Sequence, residues 1–116
     1  MNHFRHFFKA LKYSLHGLAT AFRDEMAFRQ ECCLGVAHFI AVCLLPLSLG
    51  LRLYLSAVWV LIIVAELLNT AVESVADLVT KQYDKHIEKA KDCASAAVFC
   101  LIVLWGLSWG FVLLFS

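Results

Sequence analysis

From Cys93 to Ser116 the chain runs 24 residues without a formal charge, and from Cys32 to Leu51 another 20. At 1.5 Å of rise per residue, about 20 apolar residues carry a helix across the roughly 30 Å hydrocarbon core of a bilayer. Backbone polar groups in hydrocarbon find partners only inside a helix or a closed barrel, so runs of this length admit very few folds. A further run starts near Leu53, but its uncharged part ends at Ala65 after 13 residues. That is only about 20 Å, so the helix must continue through Glu66 toward Asp77. The expectation is an all-α membrane protein with three transmembrane helices at about 32–51, 53–79 and 93–115. Pro46 and Gly50 stand near the end of the first span, with a tight turn around Leu49-Gly50-Leu51-Arg52.

The continuation past Ala65 places Glu66, Asn69, Glu73 and Asp77 in an otherwise apolar helix. At about 100° per residue these four fall within roughly 80° of one another. Carboxylates at membrane depth are costly and are kept where they face a partner, a cation or water, which marks the stripe as a candidate functional site.

Residues 62% hydrophobic and 16% charged leave too little polar surface to coat a water-soluble globule, which agrees with a single integral membrane domain over 1–116. A net charge of +1, with no basic tail, offers nucleic acid no footprint. The five cysteines are scattered at 32, 33, 43, 93 and 100 and read as small apolar residues, without a disulfide framework or metal tetrad. Met1 to Asp24 mixes charges with phenylalanines and lacks the apolar core and cleavage site of a signal peptide.

Within that stretch Phe4, Phe7, Phe8, Leu11, Leu15, Leu18 and Phe22 recur at helical spacing, with Arg5, Lys9, Lys12 and His16 on the other side. This is an amphipathic helix, about 3–28, suited to lie in the headgroup plane. Arg5, Lys9, Lys12, Arg23 and Arg29 precede the first span, and Lys81, Lys85, Lys89 and Lys91 link the second and third, while the intervening loop offers only Arg52. The positive-inside rule then puts the N-terminus and the Lys81–Lys91 link in the cytoplasm. The acidic stripe falls at that same end of its helix.

Asp24-Glu25-Met-Ala-Phe-Arg29-Gln-Glu31 brings further acids to this interface. Carboxylates there can hold Mg²⁺, a hard cation that shares its shell with substrate phosphates. Lys91 beside Asp92 adds a phosphate-binding charge, and the set suits phosphoryl transfer with one carboxylate as base. The five glycines, at 17, 35, 50, 106 and 110, form no phosphate-cradling loop, so side chains would have to hold a nucleotide. The same acids could instead cap helices or pair with nearby lysines, and the residues alone leave both readings open.

Four strings resemble the small prokaryotic diacylglycerol kinases: Lys9-Ala-Leu-Lys-Tyr13-Ser14, Glu25-Met-Ala-Phe28-Arg29-Gln30-Glu31, Glu66-Leu-Leu-Asn69-Thr-Ala-Val-Glu73-Ser-Val-Ala-Asp77 and Ala90-Lys91-Asp92-Cys-Ala-Ser95-Ala-Ala-Val98. The resemblance covers nearly the whole chain. It implies a homotrimeric kinase of the bacterial inner membrane that phosphorylates diacylglycerol to phosphatidic acid with ATP and Mg²⁺. By resemblance Glu66 is the general base, with Asn69 beside it and Asp77 in support, and Glu25 and Glu73 ligate the metal. His6, Tyr13, Glu25, Glu73, Gln82, Tyr83, Asp84, Lys91 and Asp92 correspond to ATP contacts. Ser14, Phe28, Arg29, Gln30, Glu31, Arg52, Glu66, Ser95 and Trp109 correspond to positions around the lipid.

His6 stands where the family has an arginine, with Arg5 one residue earlier. His38, inside the first span, has no such parallel and reads as a hydrogen-bonded interior histidine. Gly106-Leu-Ser-Trp-Gly110 is a GxxxG pattern that suits close helix packing within or between protomers. An undecaprenol kinase would use the same acid core with a polyprenol acceptor. An ion-conducting or transporter subunit would need polar steps across the whole bilayer, and the outer halves of the spans carry no acid.

Overall fold

A computed structural model of the chain describes residues 2–115; Met1 and Ser116, the ends of the expected 1–116 domain and of the last uncharged run, lie outside it. It holds four helices in the order α1 (Asn2–Asp24), α2 (Met26–Leu44), α3 (Leu49–Val79) and α4 (Lys85–Phe115), and no strand among the described residues. The last three are long and apolar enough to cross a membrane. The all-α membrane fold is as the charge-free runs require.

The helix ends differ from the expected ones for local reasons. The surface helix stops at Asp24 rather than near 28, because Glu25 is extended (φ −112°, ψ 114°) and α2 begins directly after it. The Arg29 guanidinium closes this corner by donating to the carbonyls of Phe22 (2.9 Å) and Arg23 (2.7 Å), which have no partner within the last turn of α1. Helix α2 ends at Leu44 because the residue before a proline is forced out of helical conformation; Leu45, preceding Pro46, has φ −74° and ψ 148°. Ser48 then caps α3, its hydroxyl accepting from the Leu51 amide at 3.2 Å. The turn expected at Leu49–Arg52 is therefore the first turn of α3, and the chain reverses over residues 45–48. Helix α4 starts eight residues before the third charge-free run, since Asp84 accepts from the amides of His86 (2.8 Å) and Ile87 (3.2 Å) and turns the basic link into two helical turns.

At 31 residues, about 46 Å, α3 is the element that contacts all the others, and it packs most extensively on α4. The molecule is a slab 22 Å across its thinnest dimension. Among the described residues no Cα of α2 comes within 8 Å of a Cα of α4; side chains bridge them instead. The indole N–H groups of Trp105 and Trp109 on α4 both donate to His38 Nδ1 on α2, each at 3.0 Å. Trp59 of α3 stacks on the same imidazole, centroids 5.2 Å apart and planes at 22°. His38 is thus the hydrogen-bonded interior histidine that was expected. Below it Val42, Leu55 and Val112 form one core cluster, and beside it Val58, Trp59 and Ile62 form another.

Most large apolar side chains remain uncovered within the chain, among them Leu44, Leu78 and Leu114 at 79%, 86% and 79% exposure. Such faces are tolerated where the surroundings are lipid. Along α1 the apolar stripe is similarly bare, with only Ala21 buried, as a helix lying in an interface requires.

Gly35 lets α2 meet α3 closely. A Cβ there would stand 2.6 Å from Trp59 Nε1 and 2.9 Å from its Cε2, inside any real contact. Gly35→Ala is expected to destabilise the fold by about 1–3 kcal/mol through overpacking, read as a lower denaturation midpoint in detergent. An unchanged midpoint would mean the ring is free to move aside.

Candidate functional site

The polar stripe of α3 is graded by depth. Glu66 is 93% buried by the 7% it exposes, Asn69 is half-buried, and Glu73 and Asp77 are exposed. The grading follows from the fold: Glu66 sits where α2 covers α3, and Asp77 lies two residues from the end of α3. Near Glu66, Glu31 of α2 is half-buried, and its Oε2 is buried without a partner. One turn beyond Glu66, Asn69 Nδ2 donates to Glu73 Oε1 at 3.2 Å, while Asn69 Oδ1 is buried with no partner.

Nearer the helix end, Lys91 of α4 donates to Asp77 Oδ1 at 2.8 Å. This pair ties α3 to α4 and sets Lys91 and the exposed Asp92 beside the stripe. Gln82, Tyr83 and Asp84 lie exposed in the link between these helices, with the Gln82 amide bound to Thr80 Oγ1 at 3.1 Å and Asp84 capping α4. Ser95 is exposed on α4.

At the α1–α2 corner Glu25 is half-buried, and although it occupies the cap position its side chain makes no capping bond. Its neighbour Asp24 pairs with Arg23 at 2.8 Å, and that guanidinium holds the Asp24 carboxyl below the usual carboxylate range. Phe28 is buried and Gln30 exposed. On α1, Tyr13 is exposed and the Ser14 hydroxyl donates to the Ala10 carbonyl at 2.8 Å. His6 lines a small recess with Asn2, Arg5 and Lys9, so Arg5 and His6 stand on the same wall.

Arg52 and Trp109 belong to the other end of the bundle. Arg52 is 14 residues before Glu66, about 21 Å along α3; it is half-buried and its Nη2 holds the Leu45 carbonyl at 3.1 Å. Trp109 holds His38. The structure therefore gathers Glu31 with Glu66, Asn69 with Glu73, and Asp77 with Lys91, and leaves Arg52 and Trp109 apart from them. Among the described residues no three His, Cys, Asp or Glu side chains converge as a metal-holding group.

Two features escaped the sequence reading. A cleft of about 600 Å³ between α1 and α3 is lined by the hydroxyl-bearing Ser14, Thr20, Thr70 and Ser74; the only signal for it was the i, i+4 spacing of Thr70 and Ser74. A larger apolar groove, about 1080 Å³, lies between α1, α2 and α3, with Trp59 and Ile63 as its α3 wall. Nothing in a uniformly apolar run distinguishes these two residues from their neighbours.

What these parts can do chemically is take a proton at a buried carboxylate, next to a band of oxygen ligands and cations that reaches water within three helical turns. Comparisons with known proteins bear on this. The family described as prokaryotic diacylglycerol kinase matches residues 12–113. A diacylglycerol kinase of Haemophilus influenzae is 39% identical over 117 residues, covering 95% of this chain and 93% of that protein. That of Pseudomonas aeruginosa is 39% identical over 105 residues, 90% and 85% of the two chains. That of Escherichia coli K12 is 38% identical over 109 residues, 91% and 87%.

Proposed function

Because the chain belongs to the prokaryotic diacylglycerol kinase family and is an enzyme of that kind, we propose that it transfers the γ-phosphoryl group of ATP to diacylglycerol, forming phosphatidic acid and ADP. The observation that carries this reading is the buried Glu66 carboxyl, with the half-buried Glu31 near it, at the head of a stripe that becomes steadily more exposed. A lipid hydroxyl reaches such a base from the side, through the bilayer, and ATP reaches Glu73 from water. Glu73 lies seven residues from Glu66, about 10 Å, which leaves room for the reacting phosphate between them.

In this mechanism Glu66 accepts the proton of the diacylglycerol hydroxyl as its oxygen attacks the γ-phosphorus in line, and the bond to ADP breaks. Glu31 holds the hydroxyl against Glu66, and Asn69 orients Glu73 through the bond described above. Lys91, kept in place by Asp77, lies where it offsets phosphate charge, with His6, Tyr13, Gln82, Tyr83, Asp84 and Asp92 around the nucleotide. Ser14, Phe28, Arg29, Gln30 and Ser95 border the lipid headgroup, and the resemblance assigns Arg52 and Trp109 to the lipid as well.

The donors suit Mg²⁺. The Glu25 side chain makes no cap, Glu73 is exposed, and Asn69 Oδ1 has no partner; one or two carboxylates with substrate phosphates and water are the usual protein share of its shell. Bound by Glu25 and Glu73, Mg²⁺ would neutralise phosphate charge.

The distribution of lysine and arginine supports a cytoplasmic N-terminus, and the family resemblance supports a single domain in the inner membrane. A homotrimer with shared sites fits the bare glycine face of α4, where a Cβ at Gly106 or Gly110 would meet nothing within 4 Å. Purified protein with labelled ATP and Mg²⁺ is expected to label diacylglycerol and to release no phosphate without a lipid. Preferential labelling of undecaprenol would reassign the acceptor, and no labelling of either lipid would overturn the kinase reading for this chain.

A further inference from the structure

The face that α2 turns to α3 runs Glu31, Gly35, His38, Val42, and the answering face of α3 runs Glu66, Ile62, Trp59, Leu55. The steps along the two helices are the same and opposite in direction, so the faces match as antiparallel rungs. Glu31 stands near Glu66, His38 stacks on Trp59 with centroids 5.2 Å apart, and Val42 shares a cluster with Leu55. Gly35 makes the room that the Trp59 ring occupies. The His38 rung lies seven residues, about 10 Å, below the carboxyls.

Only the His38 rung has direction. Apolar contacts such as Val42 on Leu55 survive a small slide or turn of one helix on the other, whereas hydrogen bonds weaken steeply with angle. Nδ1 of His38 accepts from the indoles of Trp105 and Trp109 on α4, so the imidazole is neutral and carries its proton on Nε2. That Nε2 is buried without a partner, and a buried orphan donor costs stability. What the residue contributes is position, as a single buried polar side chain does when it fixes the register of a coiled coil. Through it α2 is anchored to α4, a helix whose Cα atoms it does not approach within 8 Å among the described residues.

We propose that His38 is a positioning residue for phosphoryl transfer: by holding α2 to Trp105 and Trp109 it sets the register in which Glu31 stands beside Glu66. This rests on the reading of Glu66 as the base toward a lipid hydroxyl that Glu31 helps to hold. The reversal at 45–48 ties α2 to α3 at the opposite end. A helix released from His38 pivots about that reversal, and its displacement is largest at the far end, where Glu31 is.

His38→Phe keeps a ring against Trp59 and leaves both indole N–H groups without an acceptor, while His38→Asn returns an acceptor oxygen close to where Nδ1 stands. His38→Phe is expected to raise the KM for diacylglycerol roughly tenfold with a smaller change in kcat, short of the about 100-fold that a 1 Å misplacement can cost. His38→Asn is expected to recover most of the loss. In a Glu31→Gln background the same His38→Phe change is expected to move this KM less than about twofold, because the residue it positions is already gone. Equal rises in both backgrounds, or no recovery in His38→Asn, overturn the proposal.

A second measurement needs no turnover. With carboxyl-¹³C glutamate, His38→Phe is expected to shift the resonances of Glu31 and Glu66 and to leave that of Glu73, two turns further along α3, in place. Trp105→Phe, which keeps the imidazole and removes one donor, is expected to give a smaller shift of the same kind and takes over the test if His38→Phe does not fold. Unmoved Glu31 and Glu66 resonances in the folded variant overturn the proposal. Shifted resonances in a protein that phosphorylates no lipid would sustain the anchoring of α2 and fail the kinase reading alone.

Discussion

Glu66→Gln is expected to lower phosphoryl transfer by roughly 10²–10⁴-fold, the range supplied by a positioned general base, or about 3–5 kcal/mol of barrier. The substitution keeps the shape and burial of the side chain and removes its ability to take a proton. Gln fills the same space beside Glu31, so the α2–α3 packing should survive and the protein should still insert and bind nucleotide. Measured at saturating ATP and lipid, the loss should appear in kcat. Turnover close to wild type would remove Glu66 from the role of base. Glu31→Gln separates the two carboxyls: a smaller loss, weighted toward the KM for lipid, is expected of a residue that holds the hydroxyl without deprotonating it.

Glu73→Gln is expected to lower activity by at least about 10²-fold at ordinary Mg²⁺ and to raise the half-saturating Mg²⁺ concentration more than tenfold. Even residues one step removed from a metal cost 10–100-fold when changed, and a carboxylate is the ligand type that Mg²⁺ holds best. Titration of Mg²⁺ at fixed ATP reads the effect. Glu66→Gln should leave the half-saturating Mg²⁺ concentration near that of the wild type, so the two variants fail in different ways. A Glu73→Gln protein with an unshifted Mg²⁺ dependence would place the metal elsewhere. Glu73 is exposed, and among the described residues its side chain is tied to Asn69 alone, one turn away, so the substitution leaves the packing of the helices intact.

The contrast between these residues shows how far linear spacing reached. The depth order of Glu66, Asn69, Glu73 and Asp77 was readable because rise and angle per residue are constants of the helix, and burial along α3 follows that order. The lipid and metal roles came from resemblance, since periodicity says nothing about which of four acids takes a proton. Glu31 was named among lipid contacts, but that its carboxyl meets Glu66 depends on how α2 docks on α3. Arg29, a lipid position by resemblance, also spans the α1–α2 corner with its guanidinium, a task visible only once the corner exists.

Helix boundaries divide the same way. Counting charges marks where a chain can stay in hydrocarbon, and so finds the spans. It does not mark where a helix starts, because Asp84 and Ser48 set those starts through hydrogen bonds to amides two or three residues ahead, and polar turns continue a helix outside the membrane as readily as they end one. Pro46 ends α2 at Leu44, seven residues before the apolar run ends at Leu51.

By itself, then, the sequence determined that this protein is three membrane-crossing helices with a surface helix and one acidic stripe, because length, charge and helical period act locally and hydrocarbon tolerates few alternatives. The tertiary structure alone decided that α3 is the central helix, that Glu31 faces Glu66, and that His38 gathers Trp59, Trp105 and Trp109. Those are contacts between residues up to 71 positions apart, made across apolar surfaces that look alike in sequence. Which faces meet is set by the shape of side chains, down to the absent Cβ of Gly35.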